Sequence, residues 1–306
     1  MPKPLHLNTP LLRAAPGQFS HPEVWLKMDA LQPSGSFKLR GVGRLVRKAA
    51  QDGAREIICA SGGNAGFAAA YAAQALGLAV TIVLPETSSA AVQGLIEQRG
   101  ATVLRHGKVW DESHAFAQAL AAERGASYMH PFDHPLLWEG HASLIDEVLD
   151  QGLAFDAVVT AVGGGGLYAG IVQGLRRHGL DQIPVIAVET EGAASLHASL
   201  AAGALVTLPA ISSVATSLGA RRVAEEAFRL AREHPTHSVL VSDRQACQAA
   251  VRLAEQMRVM VEPACGAALA AVDAYPELFA RFKRPLVEVC GGVGVSLALL
   301  QQWAAS

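Results

Sequence analysis

What this sequence is short of excludes several classes of protein. Charged residues fill only 17% of its 306 positions and the formal net charge is −2, so there is no field to gather nucleic acid or an anionic membrane surface. No apolar run reaches the roughly 18 residues of a membrane span; even the alanine-rich stretch 64–84 is interrupted by Gln74, Gly77 and Thr81. The opening residues MPKPLHLNTPLLR lack the long apolar core of a secretory leader, and a cytoplasmic location is expected. The cysteines are four, Cys59, Cys247, Cys265 and Cys290, with no CxxC spacing, so neither a zinc knuckle nor a redox pair is indicated. Three of them sit in apolar runs and read as small core residues. Long linkers, low-complexity tails and internal repeats are also missing.

Hydrophobic residues make up 51% of the chain, enough for two α/β domains or one large one. Short apolar runs bounded by turn residues alternate with helical patterns. Strands are predicted at residues 24–28, 57–60, 80–84, 103–104, 157–162, 185–188 and 286–290. Helices are predicted around Lys38 to near Gly53, over 64–76, 90–99 and 111–124, from Trp138, after the 163–167 run to about His178, near 221–233 and 243–257, behind Pro263, and at the C-terminus. The alternation makes residues 40–135 a parallel αβ unit, and a second such unit runs from there to the end.

Three strand-to-helix or turn-to-helix junctions carry chemistry. Ser34-Gly35-Ser36-Phe37-Lys38-Leu39-Arg40-Gly41 sets a lysine amine at an element boundary, where it could form a Schiff base with a carbonyl cofactor. Ser61-Gly62-Gly63-Asn64-Ala65-Gly66 opens the alanine-rich helix, whose first N–H groups and positive dipole end form an anion site. Asn64 taken alone reads as a helix N-cap. Gly163-Gly164-Gly165-Gly166 allows the backbone to close around an oxygen-rich group. A dinucleotide reading is poor, because Tyr168 stands where G-x-G-x-x-G needs its last glycine; a monophosphate suits the run better. Phosphate and amine together suggest pyridoxal phosphate. Cys290, at a strand end, could face its ring nitrogen, and a thiol would not hold that nitrogen protonated. His130, His134 and His141 lack a compact zinc-ligand spacing.

SGSFKLRG, SGGNAG, GGGGL, EPACGAALAA and VCGG, with GKVWDE, PFDHPLLWEGHAS and SVATSLGA, resemble the fold-type II pyridoxal-phosphate enzymes, and most closely the catabolic L-serine dehydratase/L-threonine deaminase group. The resemblance implies an α/β fold of the tryptophan synthase β type with two doubly wound αβα domains. A large domain would take residues 1–39 and 136–306, and a small mobile one 40–135. It implies that Lys38 carries the cofactor, Phe37 and Ser217 lie against its ring, Asn64 meets the ring hydroxyl, and Cys290 meets the ring nitrogen. Gly163, Gly164, Gly165, Gly166 and Leu167 would hold the phosphate, and Ser61, Gly62, Gly63, Asn64 and Ala65 the substrate carboxylate. A potassium or other monovalent cation is implied at Gly163, Glu189, Ala193, Ser195, Leu218 and Ala220, and a homodimer is the usual assembly.

The implied reaction is β-elimination from L-serine, and from L-threonine, to a 2-oxo acid and ammonia, with Lys38 as the base for the α-proton. Gly62 offers no second acid or base, so racemisation is not expected. Val293-Gly294 after the Cys-Gly-Gly turn departs from the family's Ser-Asn or Asn-Asn and puts a hydrogen bond from that position in doubt. Two rivals stay open: β-replacement of the cysteine synthase type, and a non-catalytic relative. No regulatory extension of the biosynthetic deaminase kind is expected after Ser306.

Overall fold

The computed structural model describes residues 3–88 and 90–305. They divide into two compact units, one of Gln32–Gly140 with the chain up to Leu7, the other of Asn8–Leu31 with His141–Ser306.

The first unit is built on four parallel strands, β3 (Glu56–Cys59), β4 (Ala79–Leu84), β5 (Thr102–Arg105) and β6 (Ser127–Met129), in the order β5-β4-β3-β6. Helices cover a parallel sheet on both faces, so its central strands need apolar side chains on both; Ile57, Ile58 and Cys59 are all fully buried. Around it run α1 (Lys38–Gln51), α2 (Asn64–Leu76), α3 (Ala90–Glu97) and α4 (Trp110–Arg124). The alanines of α2 are small enough for α1 to pack closely on it. On the other side Ala117, Leu120 and Ala121 of α4 close over Ile58 and Val83. The helix α5 (Pro135–Asp150) begins in this unit.

In the second unit β1 (Leu11–Arg13), β2 (Trp25–Lys27), β7 (Ala157–Ala161), β8 (Val185–Thr190), β9 (Thr236–Val241) and β10 (Pro285–Glu288) form one sheet in the order β1-β2-β10-β7-β8-β9. Only the β1–β2 pair is antiparallel. The helices are α6 (Gly166–Arg177), α7 (Ser195–Ala202), α8 (Glu225–Glu233), α9 (Asp243–Met257), α10 (Pro263–Ala274), α11 (Pro276–Phe279) and α12 (Leu297–Ala305). The sequence signal for β2 hides a buried charge: the Lys27 ammonium donates to the Thr9 carbonyl at 2.8 Å and pairs with Glu147 at 2.8 Å, which pins the N-terminal segment to α5.

Several elements differ from the expectation. The strands β6 and β9 and the helix α7 were not predicted, because β6 is only three residues long and β9 and α7 carry polar residues among the apolar ones. The helix α5 starts at Pro135 rather than Trp138, since proline suits the first helical position. The helix α8 starts at Glu225, four residues later than expected.

Candidate active site

In the first unit the loop after β3 and the start of α1 supply the reactive groups. The Lys38 amine donates to the Pro131 carbonyl oxygen at 2.8 Å and lies 5.1 Å from the centre of the Phe37 ring, a cation–π distance. Its charge reaches Cys59, the last residue of β3; burial pushes that thiol up to about 12, while Lys38 pulls the other way. The lysine therefore stands at the carboxyl edge of the parallel sheet, where α/β folds bind ligands. From this edge the 61–65 loop leads into α2. Gly63 is the helix N-cap and Asn64, largely buried, is the first helical residue, so Asn64 is not the cap that its residue type suggested. A side chain on Gly66 would overlap the Ser61 carbonyl, and glycine there lets the loop double back on the helix.

Beside Lys38 lies an aromatic cluster; the aromatics and histidines of residues 130–135 suggest a loop near a site from sequence, whereas His114 and Tyr128 are not singled out by it. Trp110 stacks on His114 at 4.7 Å and donates its indole N–H to the Ala60 carbonyl at 2.8 Å. Nδ1 of His114 is hydrogen-bonded to the Tyr128 hydroxyl. Nδ1 of His130 accepts the backbone N–H of Asp133 at 2.8 Å and of Phe132 at 3.2 Å, so its proton sits on Nε2. Burial first, then the charges of His114, Lys38 and His134, lower its pKa to about 3. These rings are scattered over three segments, and no sequence spacing pairs them.

In the second unit the glycine run follows β7 and opens α6. Gly165 has φ +86°, and a Cβ there would strike Ala227 and approach Val223 to 2.9 Å. A Cβ on Gly163 would come within 2.9 Å of the Ser217 carbonyl and 3.0 Å of Leu218. Among the described residues, none of the backbone hydrogen bonds is donated by Gly163, Gly164, Gly165 or Gly166. This cradle of open N–H groups at the start of a twelve-residue helix, with no Cβ to obstruct it, fits a phosphate.

Ser217 joins the cradle to the turn beyond β10. Its hydroxyl donates to Glu262 Oε2, and Glu262 Oε1 accepts the Gly294 N–H at 2.6 Å. Cys290, four residues before Gly294, is buried. A hydrogen bond with Cys265, then burial, then the charges of Cys265, Glu288 and Glu262 push its thiol well above the ordinary range. All four cysteines are free thiols. At the neighbouring strand end, Glu189 accepts the backbone N–H of Leu196 at 2.9 Å and His197 at 2.7 Å. Burial raises its pKa to about 7 against those bonds and one from Ser195. The Ser195 hydroxyl is buried with no hydrogen-bond partner among the described residues. Gly163 and Glu189 leave adjacent strands, since Val162 N–H bonds the Val188 carbonyl. Leu218 accepts from Ala220 N–H at 2.8 Å, and Ala193 is fully buried in the turn after β8.

Residues 3–291 match the family described as "Pyridoxal-phosphate dependent enzyme". This chain belongs to that family. Among its relatives, it is 48% identical to "Serine dehydratase-like" of Rattus norvegicus over 98% of this chain and 94% of that protein. It is 45% identical to "L-serine dehydratase/L-threonine deaminase" of Homo sapiens, again over 98% and 94%. Its fold superposes on a fungal L-serine ammonia-lyase from Rhizomucor miehei with a TM-score of 0.91, at 32% identity and 99% coverage of both chains. The pyridoxal-phosphate enzyme is thus of fold type II, as the motifs implied. The open N–H groups of the glycine cradle suit a phosphate, and an amine such as that of Lys38 suits an aldehyde.

Proposed function

We propose that the chain is an ammonia-lyase that converts L-serine, and also L-threonine, to the 2-oxo acid and ammonia. The observation that carries this reading is the near full-length similarity to proteins named L-serine dehydratase/L-threonine deaminase. The Lys38 amine, held at the sheet edge that also bears the 61–65 loop, is in keeping with it.

Pyridoxal phosphate, when bound, supplies an electron sink for the charge left at the substrate's α-carbon. Lys38 would hold its aldehyde, and the Lys38 amine would serve as the base for the α-proton. Burial raises the pKa of Cys59 and lowers that of His130, so both favour their neutral forms near Lys38. Phe37 and Ser217 would hold the ring, Asn64 its hydroxyl and Cys290 its nitrogen, and Gly163–Leu167 would bind the phosphate. Ser61, Gly62, Gly63, Asn64 and Ala65 receive the substrate carboxylate, for which the amino-terminal end of α2 offers N–H donors. Gly62 places no hydroxyl on the loop, which favours elimination over racemisation. A monovalent cation binds among Gly163, Glu189, Ala193, Ser195, Leu218 and Ala220; the buried carboxylate and the unpartnered Ser195 hydroxyl support it. The enzyme works in the cytoplasm as a homodimer, with a larger domain of residues 1–39 and 136–306 and a smaller one of 40–135; the compact units differ from this division in grouping the chain up to Leu7 and residues 32–39 and 136–140 with the smaller one. Among the described residues no helix is long and apolar enough to cross a membrane.

The test is direct. The purified protein should be yellow, lose that absorbance on borohydride reduction with the label on Lys38, and form pyruvate and ammonia from L-serine. Lys38→Ala should be colourless and inactive; pyruvate production by that variant would refute the reading. Added sulfide should leave pyruvate as the product, whereas cysteine in its place would identify a β-replacement enzyme.

A further inference from the structure

The turn after Cys290 carries Val293-Gly294 and so offers no polar side chain. The structure supplies a hydrogen bond there from the backbone instead, and its acceptor is Glu262. This residue is 6% exposed and stands just before Pro263, which opens α10. Proline restricts the residue before it to extended backbone, and Glu262 has φ −73° and ψ 161°, so its direction is set by the chain itself.

From that position Glu262 reaches every part of the 291–294 turn and Ser217 as well. Its backbone N–H donates to the Gly291 carbonyl at 3.3 Å. Its side-chain carbons occupy the space that a Cβ on Gly292 would take, where φ is +124°. One carboxylate oxygen accepts from Gly294 N–H and the other from the Ser217 hydroxyl. A neutral amide would avoid the cost of burying charge but keep only one of the two acceptors, since its NH2 group donates. What a carboxylate adds is negative potential, and Cys290 lies within its reach. The titratable groups facing Cys290 are Cys265 on α10, Glu288 on β10 and Glu262 itself.

We infer that Glu262 is the positioning residue of the ring site: it holds the Ser217 hydroxyl and the Cys290–Gly294 turn in one arrangement and makes the potential there negative. The inference rests on the proposed placement of Ser217 and Cys290 against the cofactor ring. A negative potential favours the protonated form of any base nearby.

Two variants separate the parts. Glu262→Gln keeps size and an acceptor but removes the charge; Glu262→Ala removes both. For each holoenzyme, far-ultraviolet circular dichroism checks folding, equilibrium dialysis measures cofactor dissociation, and the visible band is titrated against pH. Glu262→Ala should weaken cofactor binding by about tenfold or more, the loss expected for a site deprived of a charged hydrogen-bond acceptor. Glu262→Gln should bind closer to wild type but shift the band's pH midpoint downward by about one unit. Should Glu262→Ala fail to fold, Ser217→Ala takes its place: it loses one bond to the carboxylate, so binding weakens while the midpoint stays. Folded Glu262 variants with wild-type dissociation constants and an unmoved midpoint would overturn the inference. A wild-type protein that shows no band with pyridoxal phosphate would instead overturn the placement beneath it, and the inference with it.

Discussion

At the scale of single residues, the environment of Lys38 decides what the amine can do. It sits among groups that resist charge of their own: Cys59 is pushed up to about 12 and His130 down to about 3. His130 also makes a pH-dependent contribution to stability. Its folded pKa lies below the unfolded value near 6.5, so between pH 3 and 6.5 the unfolded chain binds more protons. Stability from this residue is therefore present above pH 6.5 and is lost as pH falls toward 3. His130→Gln, which can still accept the Asp133 N–H, should flatten the fall in urea midpoint across that window. It should not abolish it, since His114, His134, His234 and His237 are also lowered, chiefly by burial. An unchanged slope would show that His130 protonates freely in the folded protein. Residue type alone made Lys38 and the glycines legible in the sequence; Glu262 was visible only as the residue before a helix-opening proline, and its carboxylate was given no role.

At the scale of elements, the 61–65 loop, the glycine run and the turn at Cys290 each follow a parallel strand, β3, β7 and β10, and each is shaped by what packs on it. The glycine cradle before α6 is tightly packed. An alanine at Gly165 would need φ +86° and would strike Ala227 of α8. Gly165→Ala should therefore cost about 1–3 kcal/mol in stability, as over-packing at a strained backbone does. It should also lower phosphate-dependent cofactor affinity. Denaturant unfolding and cofactor dialysis read the two effects, and wild-type values for both would mean that α8 yields easily. The end of β8 makes a second expectation. Burial raises Glu189 to about 7 against the Leu196, His197 and Ser195 bonds, so this group contributes stability below its unfolded pKa that is lost as pH rises through 7. A monovalent cation at the proposed site would favour the ionised form. Potassium should accordingly raise the thermal midpoint more at pH 8 than at pH 6, against tetramethylammonium at equal ionic strength. Equal shifts at both pH values would remove Glu189 from the cation site. Strands with continuous apolar runs were readable from sequence, whereas β6 and β9 were not, because their places depend on neighbours: β6 on β3, and β9 on β8.

At the scale of the whole molecule, the chain returns on itself: β2 near the start pairs with β10 near the end, and the first unit's sheet is formed between them in sequence. The proposed anchors of the cofactor are shared out, with Lys38 on one unit and the glycine run on the other. A ligand that binds the folded chain adds to its stability. Stripping the cofactor should lower the unfolding temperature read by calorimetry. The same temperature in both forms would argue that the cofactor does not bind the folded state preferentially. The sequence by itself determined which residues carry the chemistry and that they stand at turns between strand and helix. Those features depend on local steric freedom, on the missing Cβ of glycine and on the period of apolar residues. Only the tertiary structure decided which of them meet. Ser217 and Glu262 are 45 positions apart, and Glu262 and Gly294 32, and contacts of that range follow from strand order and packing, which no short stretch of chain encodes.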